Sequence, residues 1–528
     1  MAASPLAQNP LDRVAGVTLD RGVRFHRPTR SESTPSALVE RFRPHTHRPP
    51  LHTQEKWTLA FVTLHLCFLP WALGAMHLWS QCTSLALALV GFVVAAVPRI
   101  YTETGDSGET VRVQVRPLQR LWRFPIFWIG LAVLAYIAIQ GANPAGRYKA
   151  NATYWWIEAI DHVAWLPSGM DVPFAVAGPW RSLIVHASLW LTLCAVWIGF
   201  MRRLTIRLFF TFLVANGVLL ALFGLAQLLT HAQGIFWLVK SNSASFIASF
   251  IYRNHAGAYL NLILALTAGM AWWYFTRANR RFEKSSPSSV FTFGVVVLGV
   301  TVLFSLSRGS AIMMGTFLLL TGAAFVWSQL RLPTDNRTRF VIMGLVVLLV
   351  GFIGVGLYSL NTKSVRNRFE SMIADPVASL SDRAEAHTAA AEMLAARPVL
   401  GYGAGCFRYG FPEHLYRHPD IYYSGRTNRR LWEHAHNDLL EYPIEFGLAG
   451  SSLIVAGLGW LGWQLLRRRF WRNPLALPVA LGCSLTVIHA WGDFVFQNPA
   501  ILFTWAVLLL AAGRWAELDQ QPVVHESA

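Results

Sequence analysis

Runs of apolar residues fill most of the chain from about residue 57 onward, and short polar connectors separate them. Each run is roughly 18 to 25 residues long, the length with which an α-helix crosses the hydrocarbon core of a bilayer. The pattern therefore predicts about twelve transmembrane helices. The runs lie near residues 57–79, 82–98, 122–140, 182–201, 206–230, 256–276, 290–307, 309–329, 340–360, 437–466, 476–492 and 499–515.

The order of the runs predicts an all-α polytopic membrane protein with one large, partly helical loop. Residues 1–56 are rich in Arg, Pro, His and Ser and poor in apolar residues, so we expect a disordered basic arm. Residues 57–360 then hold helices 1–9, residues 361–435 form the loop, residues 436–515 hold helices 10–12, and residues 516–528 form a short tail.

The formal net charge is +17, with 45 Lys and Arg residues against 28 Asp and Glu residues. In a soluble domain such a surplus would suggest binding to nucleic acid. Here most basic residues stand in short connectors on one side of the predicted bundle, so the positive-inside rule explains them and we predict no nucleic-acid partner. The rule places this side and both termini in the cytoplasm of a bacterial inner membrane. These basic residues are Arg112, Arg116, Arg120, Arg123, Arg202, Arg203, Arg207, Arg277, Arg280, Arg281, Lys284, Arg331, Arg337, Arg339, Arg467, Arg468, Arg469 and Arg472.

The loop 361–435 faces the periplasm in this topology, although it too is rich in Lys and Arg. Loops longer than roughly 60 residues cross a membrane largely regardless of their charge, so these arginines need another explanation. Within the loop, Ser381–Ala396 is rich in Ala and Glu and predicts a helix. Arg397-Pro398 ends that helix, and the glycines at 401–405 predict a tight turn.

Four polar clusters that are far apart in the sequence fall on the periplasmic side of this topology. An imidazole titrates near neutral pH, and a guanidinium binds carboxylates and phosphates in a bidentate manner. Because the clusters share one face, we predict a single active site that acts on an anionic substrate. The clusters are Tyr252-Arg253-Asn254-His255, Ser305-Leu-Ser307-Arg308-Gly309, Asp382-Arg383, and His434-Ala-His436-Asn437-Asp438.

Each of the three arginines also has a structural interpretation. Arg308 stands between two apolar runs, where it either binds an anion or reaches the interface and fixes the hairpin. Arg383 either binds the substrate or forms a salt bridge with a neighbouring loop carboxylate. Arg253 and His255 either line the site or anchor their helix at the interface, with Asn254 as its N-cap.

His436 is the candidate catalytic residue and opens the tenth predicted helix. Its polar neighbours either orient the imidazole or hydrogen-bond between helices, with Gly447 and Gly450 allowing close packing. His489 and Asp493 are four residues apart and either support the site or clamp the last hairpin, which is the interpretation that we favour. The polar neighbours are His434, Asn437, Asp438, Glu441 and Glu445.

At these residues the chain resembles the O-antigen ligase and O-antigen polymerase superfamily, membrane enzymes that transfer glycans linked to polyprenyl diphosphates. The resemblance covers about residues 240–500, and the aromatic residue that often follows the loop arginine is missing after Arg383. The matching motifs are Arg253-Asn254-His255-Ala-Gly257, Ser307-Arg308-Gly309, the turn Pro398-Val-Leu-Gly401-Tyr-Gly403-Ala-Gly405, and His436-Asn437 followed after nine residues by Gly447-Leu-Ala-Gly450.

The resemblance implies a fold like the GT-C class of membrane glycosyltransferases and a site without metal or cofactor. It implies that His436 is the general base that deprotonates an acceptor hydroxyl. Arg308, Arg383 and Arg253 would hold the donor diphosphate and stabilise the charge that develops on it. The implied supporting residues are Asn437, His434, Asp438, Glu441, Asn254 and His255.

The function predicted from this resemblance is an inverting glycosyltransferase of the periplasmic face. It would move a glycan from undecaprenyl diphosphate to a hydroxyl of lipid A-core, as an O-antigen ligase does, within the lipids of the membrane. An O-antigen or exopolysaccharide polymerase, whose acceptor is a second carrier-linked saccharide, carries the same motifs and stays open as the alternative. A transporter of lipid-linked sugars is less favoured, because the polar clusters collect at one membrane face and not near the midplane.

Overall fold

Long α-helices make up most of the protein. The computed structural model describes residues 17–19, 51–104, 110–240, 246–281, 285–331, 378–424, 428–429 and 431–520. In chain order its α-helices are α1 (Thr53–Trp71), α2 (Leu78–Ala96), α3 (Pro117–Trp122), α4 (Pro125–Ala142), α5 (Pro179–Gly199), α6 (Arg203–Leu229), α7 (Arg253–Arg281), α8 (Ser288–Phe304), α9 (Arg308–Leu330), α10 (Ala378–Ala396), α11 (Phe407–Gly410), α12 (Pro412–Leu415), α13 (Pro419–Tyr422), α14 (Asp438–Arg467), α15 (Ala476–Trp491) and α16 (Pro499–Gln520).

The predicted fold class, an all-α polytopic membrane protein, is confirmed. Within the described residues, 8 helices are long and apolar enough to cross a membrane. Two shorter apolar helices, α8 and α15, also match predicted runs, and α1 covers the run predicted at 57–79. The helix predicted at 340–360 lies outside the described residues, as do parts of the arm, the loop and the tail, so twelve spans stay a prediction.

Short strands occur in connectors for which the sequence analysis predicted no regular structure. Because they are short and lie between long apolar runs, the alternation of apolar and polar residues that marks a strand is too brief to predict them. In the described residues they are β1 (Val17–Leu19), β2 (Arg99–Thr104), β3 (Thr110–Val115), β4 (Pro144–Ala150), β5 (Trp155–Ala159), β6 (Gly169–Asp171), β7 (Gly234–Ile235), β8 (Val239–Lys240), β9 (Tyr423–Ser424) and β10 (Asn428–Arg429).

The strands form small antiparallel pairings, with one parallel exception. β1, β3 and β2 form one sheet in that order, β5, β4 and β6 form another, and β7–β8 and β9–β10 are isolated pairs. Among the strands of the described residues, β4 and β6 alone pair in parallel. Within the predicted arm, Val17–Leu19 pair with β3, and the disorder and the boundary of the arm stay a prediction.

Successive long helices run in opposite directions, so the bundle has two distinct ends. The first residues of α7, α9, α14 and α16 lie at one end, which we call the site end, and their last residues lie at the other, which we call the opposite end. The described basic connectors around Arg202 and Arg468 lie at the opposite end. Helices α7 and α16 are the most buried of the 8 long apolar helices among the described residues.

Close packing by small residues joins α7 to α15. Gly482 of α15 stands so near Ala265 of α7 that a side chain at position 482 would overlap it. Likewise, a Cβ added at Gly269 of α7 would lie 2.8 Å from the Leu475 carbonyl oxygen. Small residues let membrane helices approach closely, and here they bring the last turn of α15 next to the first turn of α7.

The loop before α14 has its own small core, built on one face of α10. Ala386, Ala389, Ala390 and Met393 follow one another at helical spacing and are fully buried. They pack against the aromatic and aliphatic side chains of the rest of the loop. The loop is therefore a packed subdomain at the site end, and α10 fixes the position of Arg383 near its start.

Candidate active site

His436 does not open a helix as predicted but lies two residues before α14, which begins at Asp438. Its backbone has a φ of +53°, a left-handed conformation that is uncommon for residues other than glycine. The His387 Nε2 atom, 3.2 Å away, donates a hydrogen bond to the His436 carbonyl. Asn437 is the N-cap of α14 and accepts from the Leu440 amide at 3.2 Å, so it shapes the turn that presents His436.

The imidazole of His436 pairs with a buried carboxylate, that of Asp493. The His436 Nδ1 and Asp493 Oδ1 atoms are 3.4 Å apart, and Asp493 is only 1% exposed. Asn254 of α7 donates a hydrogen bond to the same carboxylate through its side-chain amide. The sequence analysis favoured Asp493 as a clamp of the last hairpin; the structure instead places it at the centre of the predicted site.

The charges around Asp493 keep it ionised. Burial by itself would raise its pKa, but the imidazoles of His436 and His489 and the Arg383 guanidinium together hold the pKa of Asp493 well below its usual range. An ionised carboxylate at Nδ1 favours the tautomer with its proton on Nδ1 and a lone pair on Nε2. This arrangement prepares Nε2 to accept a proton, as a general base does.

Aromatic rings enclose both histidines of the loop motif. The His436 ring lies edge-on to Phe494, with centroids 4.8 Å apart, and edge-on to Trp432 at 5.7 Å. The same Phe494 ring stacks on His434 at 4.5 Å and on Tyr252 at 5.2 Å. Phe494 thus joins the loop motif to the start of α7 and limits the access of water to the imidazoles. No sequence pattern distinguished it from the apolar residues around it.

His434 forms a second imidazole–carboxylate pair. Its Nδ1 atom lies 2.7 Å from Glu441 Oε1, while Glu441 Oε2 accepts from the Ala435 amide at 2.7 Å. Burial lowers the pKa of His434, but the Glu441 carboxylate outweighs that effect, so the pKa is raised overall. With both carboxylate oxygens of Glu441 engaged by the loop, this pair holds the loop segment against α14.

Asp438 joins the loop motif to the last hairpin. Its carboxylate accepts from the Phe496 amide at 2.7 Å, and its own amide donates to the Asp493 carbonyl at 3.3 Å. Asp438 is fully buried. It therefore fixes the spacing between His436 and Asp493, and its contacts are those of a positioning residue.

Arg383 reaches from α10 into the same site. Its Nη1 atom donates to the Gly492 carbonyl at 2.6 Å, and its side chain also hydrogen-bonds to Tyr252. Burial and the nearby Asp493 carboxylate raise the pKa of Tyr252, so the phenol stays neutral. Because both of these partners are neutral oxygens, the guanidinium charge stays available to an anion.

The first turn of α7 contributes the predicted Arg253, Asn254 and His255. Asn254 bonds to the Tyr252 hydroxyl at 2.7 Å as well as to Asp493. The His255 Nε2 atom lies 3.1 Å from the Phe494 carbonyl oxygen, so His255 holds the hairpin and does not face a substrate directly. Arg253 is the first residue of α7 and is half-buried beside Tyr252.

Arg308 is the first residue of α9 and lies at the same end of the bundle. Ser307 caps this helix by accepting from the Ser310 amide at 3.3 Å. The next residue, Gly309, abuts the imidazole of His489, to which a Cβ at position 309 would come within 2.7 Å. Arg308 thus starts a helix turn packed against His489, which is close enough to Asp493 to lower the pKa of that carboxyl.

The glycine turn that follows Pro398 and the motif that begins at Gly447 are joined by backbone hydrogen bonds, and we call this contact the glycine clasp. Gly447 breaks α14 with a φ of +62°, and a side chain there would overlap the Val399 carbonyl oxygen. The amides of Leu448 and Ala449 donate to the carbonyls of Pro398 and Val399 at 2.8 and 3.1 Å. Gly447 therefore ends a short first segment of α14 and lets the loop turn bond to the exposed backbone.

Some of the loop arginines have structural partners within the loop. Arg408 pairs with Glu433, and Arg417 lies 3.7 Å from a carboxylate oxygen of Glu392. Arg397 stacks over the Tyr402 ring, 4.7 Å from its centroid. These contacts account for part of the loop's basic residues without a substrate. Arg383 differs from them, because its described bonds lead to the site.

The described residues contain no group of three or more His, Cys, Asp or Glu side chains that could hold a metal ion. The carboxylates of the site are instead engaged by imidazoles, by an amide side chain and by backbone amides. The prediction of a site without metal stays a prediction.

Residues 293–455 match the family model described as O-antigen ligase. The matched segment includes Arg308, Arg383, His436 and the glycine clasp, but neither the first turn of α7 nor Asp493. No curated protein matches the chain. The predicted resemblance to the O-antigen ligase superfamily is thereby confirmed.

Proposed function

Because the chain carries an O-antigen ligase domain, we propose that it is a glycosyltransferase that moves a glycan from undecaprenyl diphosphate to an acceptor hydroxyl. The observation that carries the proposal is the pairing of His436 with the buried, ionised Asp493, 3.4 Å away, beside the guanidinium of Arg383. The His436 imidazole is arranged to take a proton, and the Arg383 guanidinium is arranged to bind a phosphate.

The reaction needs one proton transfer and one displacement. The His436 Nε2 atom takes the proton of the acceptor hydroxyl, and the acceptor oxygen attacks the anomeric carbon of the donor sugar. As the new glycosidic bond forms, the bond from the anomeric carbon to the phosphate oxygen breaks, and its electron pair stays on the diphosphate. A single displacement inverts the anomeric configuration. Asp493 stabilises the imidazolium that results.

Arginines neutralise the diphosphate in this proposal, so that no metal ion is needed. Arg383 and Arg308 bind the phosphate oxygens, and Arg253 adds a third positive charge at the start of α7. The negative charge on the leaving diphosphate grows in the transition state, so fixed guanidinium groups lower the barrier. The engagement of Asp493 and Glu441 by imidazoles supports this division of roles, because Arg383 then donates to a neutral carbonyl oxygen and not to a carboxylate.

We further propose that the site end faces the periplasm from the inner membrane, with both termini in the cytoplasm and a GT-C-like arrangement of helices. The basic connectors at the opposite end support this orientation. A ligase acceptor, lipid A-core, is the first choice because the matching family model is described as O-antigen ligase. The transporter alternative loses support, since the paired imidazoles and carboxylates gather at one end of the bundle.

The proposal is tested with purified protein in liposomes, an undecaprenyl-diphosphate-linked oligosaccharide, and either lipid A-core or a second carrier-linked saccharide as acceptor. We expect a glycosidic product with one acceptor and none from His436→Ala or Arg308→Ala, with membrane insertion unchanged. The acceptor that is used distinguishes ligase from polymerase. Wild-type transfer by both variants, or movement of the lipid-linked sugar across the bilayer without bond formation, would contradict the proposal.

A further inference from the structure

His489 is a buried imidazole that the proposed reaction does not yet use. It lies in the last turn of α15 and is 7% exposed. Among the described residues, no backbone or side-chain group hydrogen-bonds to its imidazole. A mostly buried imidazole without a protein partner is able to bind a ligand through its ring nitrogens.

The imidazole is aimed at the start of α9. Its Nε2 atom lies 2.7 Å from the position that a Cβ of Gly309 would occupy, and its Cδ2 atom lies 3.1 Å from it. Only a glycine at 309 lets the ring pack this closely on the first helical turn. The N-terminus of a helix presents backbone amides and a partial positive charge, both of which favour a phosphate. Arg308 adds a full charge at the same turn.

The groups around His489 are ordered along the axis of α15. Toward the bilayer side, a narrow crevice between α7, α9 and α15 is lined mainly by apolar side chains, among them Met313, Phe317 and Leu485. Beyond the helix end lie Gly492, whose carbonyl receives Arg383, and Asp493, which pairs with His436. His489 therefore stands between an apolar crevice and the catalytic imidazole.

The groups of a sugar-linked polyprenyl diphosphate follow the same order. An apolar chain comes first, then a lipid-proximal phosphate, a distal phosphate and the sugar. The distal phosphate carries the anomeric carbon, so it belongs near His436 and Arg383. The lipid-proximal phosphate then falls one step toward the apolar crevice, at His489 and the first turn of α9.

We infer that His489 and the N-terminal turn of α9 form the subsite for the lipid-proximal phosphate of the donor. The inference rests on the proposed function for the identity of the ligand. His489 donates a hydrogen bond from Nε2 to a phosphate oxygen at this turn, and Gly309 lets the ring lie close to the first turn of α9. The clamp favoured from the sequence is replaced by a binding role.

The test measures the binding of two probes, undecaprenyl phosphate and undecaprenyl diphosphate, to the purified full-length protein in nanodiscs. A lost hydrogen bond to a charged group weakens binding about tenfold or more. We expect His489→Leu to weaken both probes by the same factor and His489→Gln to restore part of the loss. Gly309→Ala, which displaces the ring but keeps it, should weaken both probes as well. Arg383→Ala should weaken the diphosphate far more than the monophosphate.

His65→Leu is the matched control. His65 is also a buried imidazole of the bundle, but it is bonded to Ser84 at 2.7 Å and to Thr192 at 3.2 Å. We expect this variant to unfold at a lower temperature and to bind both probes as the wild type does, which separates lost stability from lost binding.

Two results would overturn the inference. One is wild-type affinity for both probes in His489→Leu and Gly309→Ala; the other is a loss confined to the diphosphate, which would assign His489 to the distal phosphate. If His489→Leu does not fold, Gly309→Ala and His489→Gln decide the question. Binding needs no turnover, so an absence of glycan transfer in the liposome assay would refute the proposed function and leave this result standing.

Discussion

Arginines gather at both ends of the helical bundle, but their partners differ. At the opposite end, Arg514 and Arg468 share the carboxylate of Glu517, and Arg203 lies 2.8 Å from Asp519. Indole rings also cover three guanidinium groups at this end. Trp197 lies under Arg514 and Arg120, and Trp515 lies under Arg203. These charges are paired and shielded, as they are where arginine stabilises a fold.

Around His436 and His434, at the site end, the carboxylates bind other groups. Asp493 and Glu441 pair with the imidazoles of His436 and His434, and the described hydrogen bonds of Arg383 lead to neutral oxygens. The role of a cluster of basic residues therefore depends on the groups that its guanidiniums contact and not on its composition. Carboxylates that orient imidazoles leave a guanidinium charge available to a substrate.

The sharpest test of this contrast exchanges one carboxylate at each end. Asp493→Asn keeps the shape of the side chain but removes the charge that fixes the His436 tautomer, so we expect the turnover rate kcat to fall about 10²–10⁴-fold with little change in KM. Glu517→Gln should leave kcat near the wild-type value and lower the free energy of unfolding by about 2 kcal/mol. Steady-state kinetics and thermal unfolding of both variants give the answer.

If Glu517→Gln lost activity as fully as Asp493→Asn while both stayed folded, the two ends would not differ in role. The same conclusion would follow if Asp493→Asn merely lowered the unfolding temperature.

A second test exchanges one arginine at each end. Arg383→Ala should weaken the binding of undecaprenyl diphosphate about 100-fold, because two charge-assisted hydrogen bonds of about 1.5 kcal/mol each are lost. Arg203→Ala removes the pair with Asp519 and the stacking on Trp515, so it should change stability but not donor affinity. Equal affinity of Arg383→Ala and the wild type would show that Arg383 is a structural residue like Arg203.

A third test compares the two segments of α14. Gly447→Ala places a side chain at a φ of +62° and against the Val399 carbonyl, so it should open the clasp, lower transfer about tenfold and expose the turn around Val399 to protease. Gly459 lies in the same helix with open space around its Cβ position. Gly459→Ala should therefore keep full activity and stabilise the helix by up to about 1 kcal/mol. Parallel behaviour of the two variants would rule out the clasp as a positioning device.

The sequence predicted the helices well because membrane helices follow from apolar runs of bilayer length. Eleven of the predicted runs have a helix among the described residues, with ends that differ by a few residues. The strand pairs and the small core of the loop were not predicted, since short strands and alanine-rich faces give weak periodic signals. The left-handed backbone of His436 and the break at Gly447 were not predicted from the sequence either, because local conformations of this kind depend on tertiary hydrogen bonds.

The sequence also indicated which clusters meet but not how they pair. Arg383, Asn254 and His436 were predicted to share a site, and the structure brings all three to the Asp493 turn. The partner of His436 was missed because Asp493 is more than 50 positions away in the chain and was weighed only against its helical neighbour His489. Its position after an apolar helix, where a buried carboxylate is costly, was the signal that could have identified it.

The smallest expected effect comes from the second imidazole–carboxylate pair, His434 with Glu441. The Glu441 carboxylate raises the pKa of His434 above the ordinary value of 6.5. A raised folded-state pKa stabilises the protein fully at pH values below 6.5 and loses this contribution as the pH rises through the folded-state value. Glu441→Gln should lower the free energy of unfolding by about 1–3 kcal/mol in the acidic range, and the unfolding curves of the two proteins should converge toward alkaline pH. A stability difference that stayed constant between pH 5.5 and about 9 would mean that Glu441 acts through its bond to the Ala435 amide and not through the charge of His434.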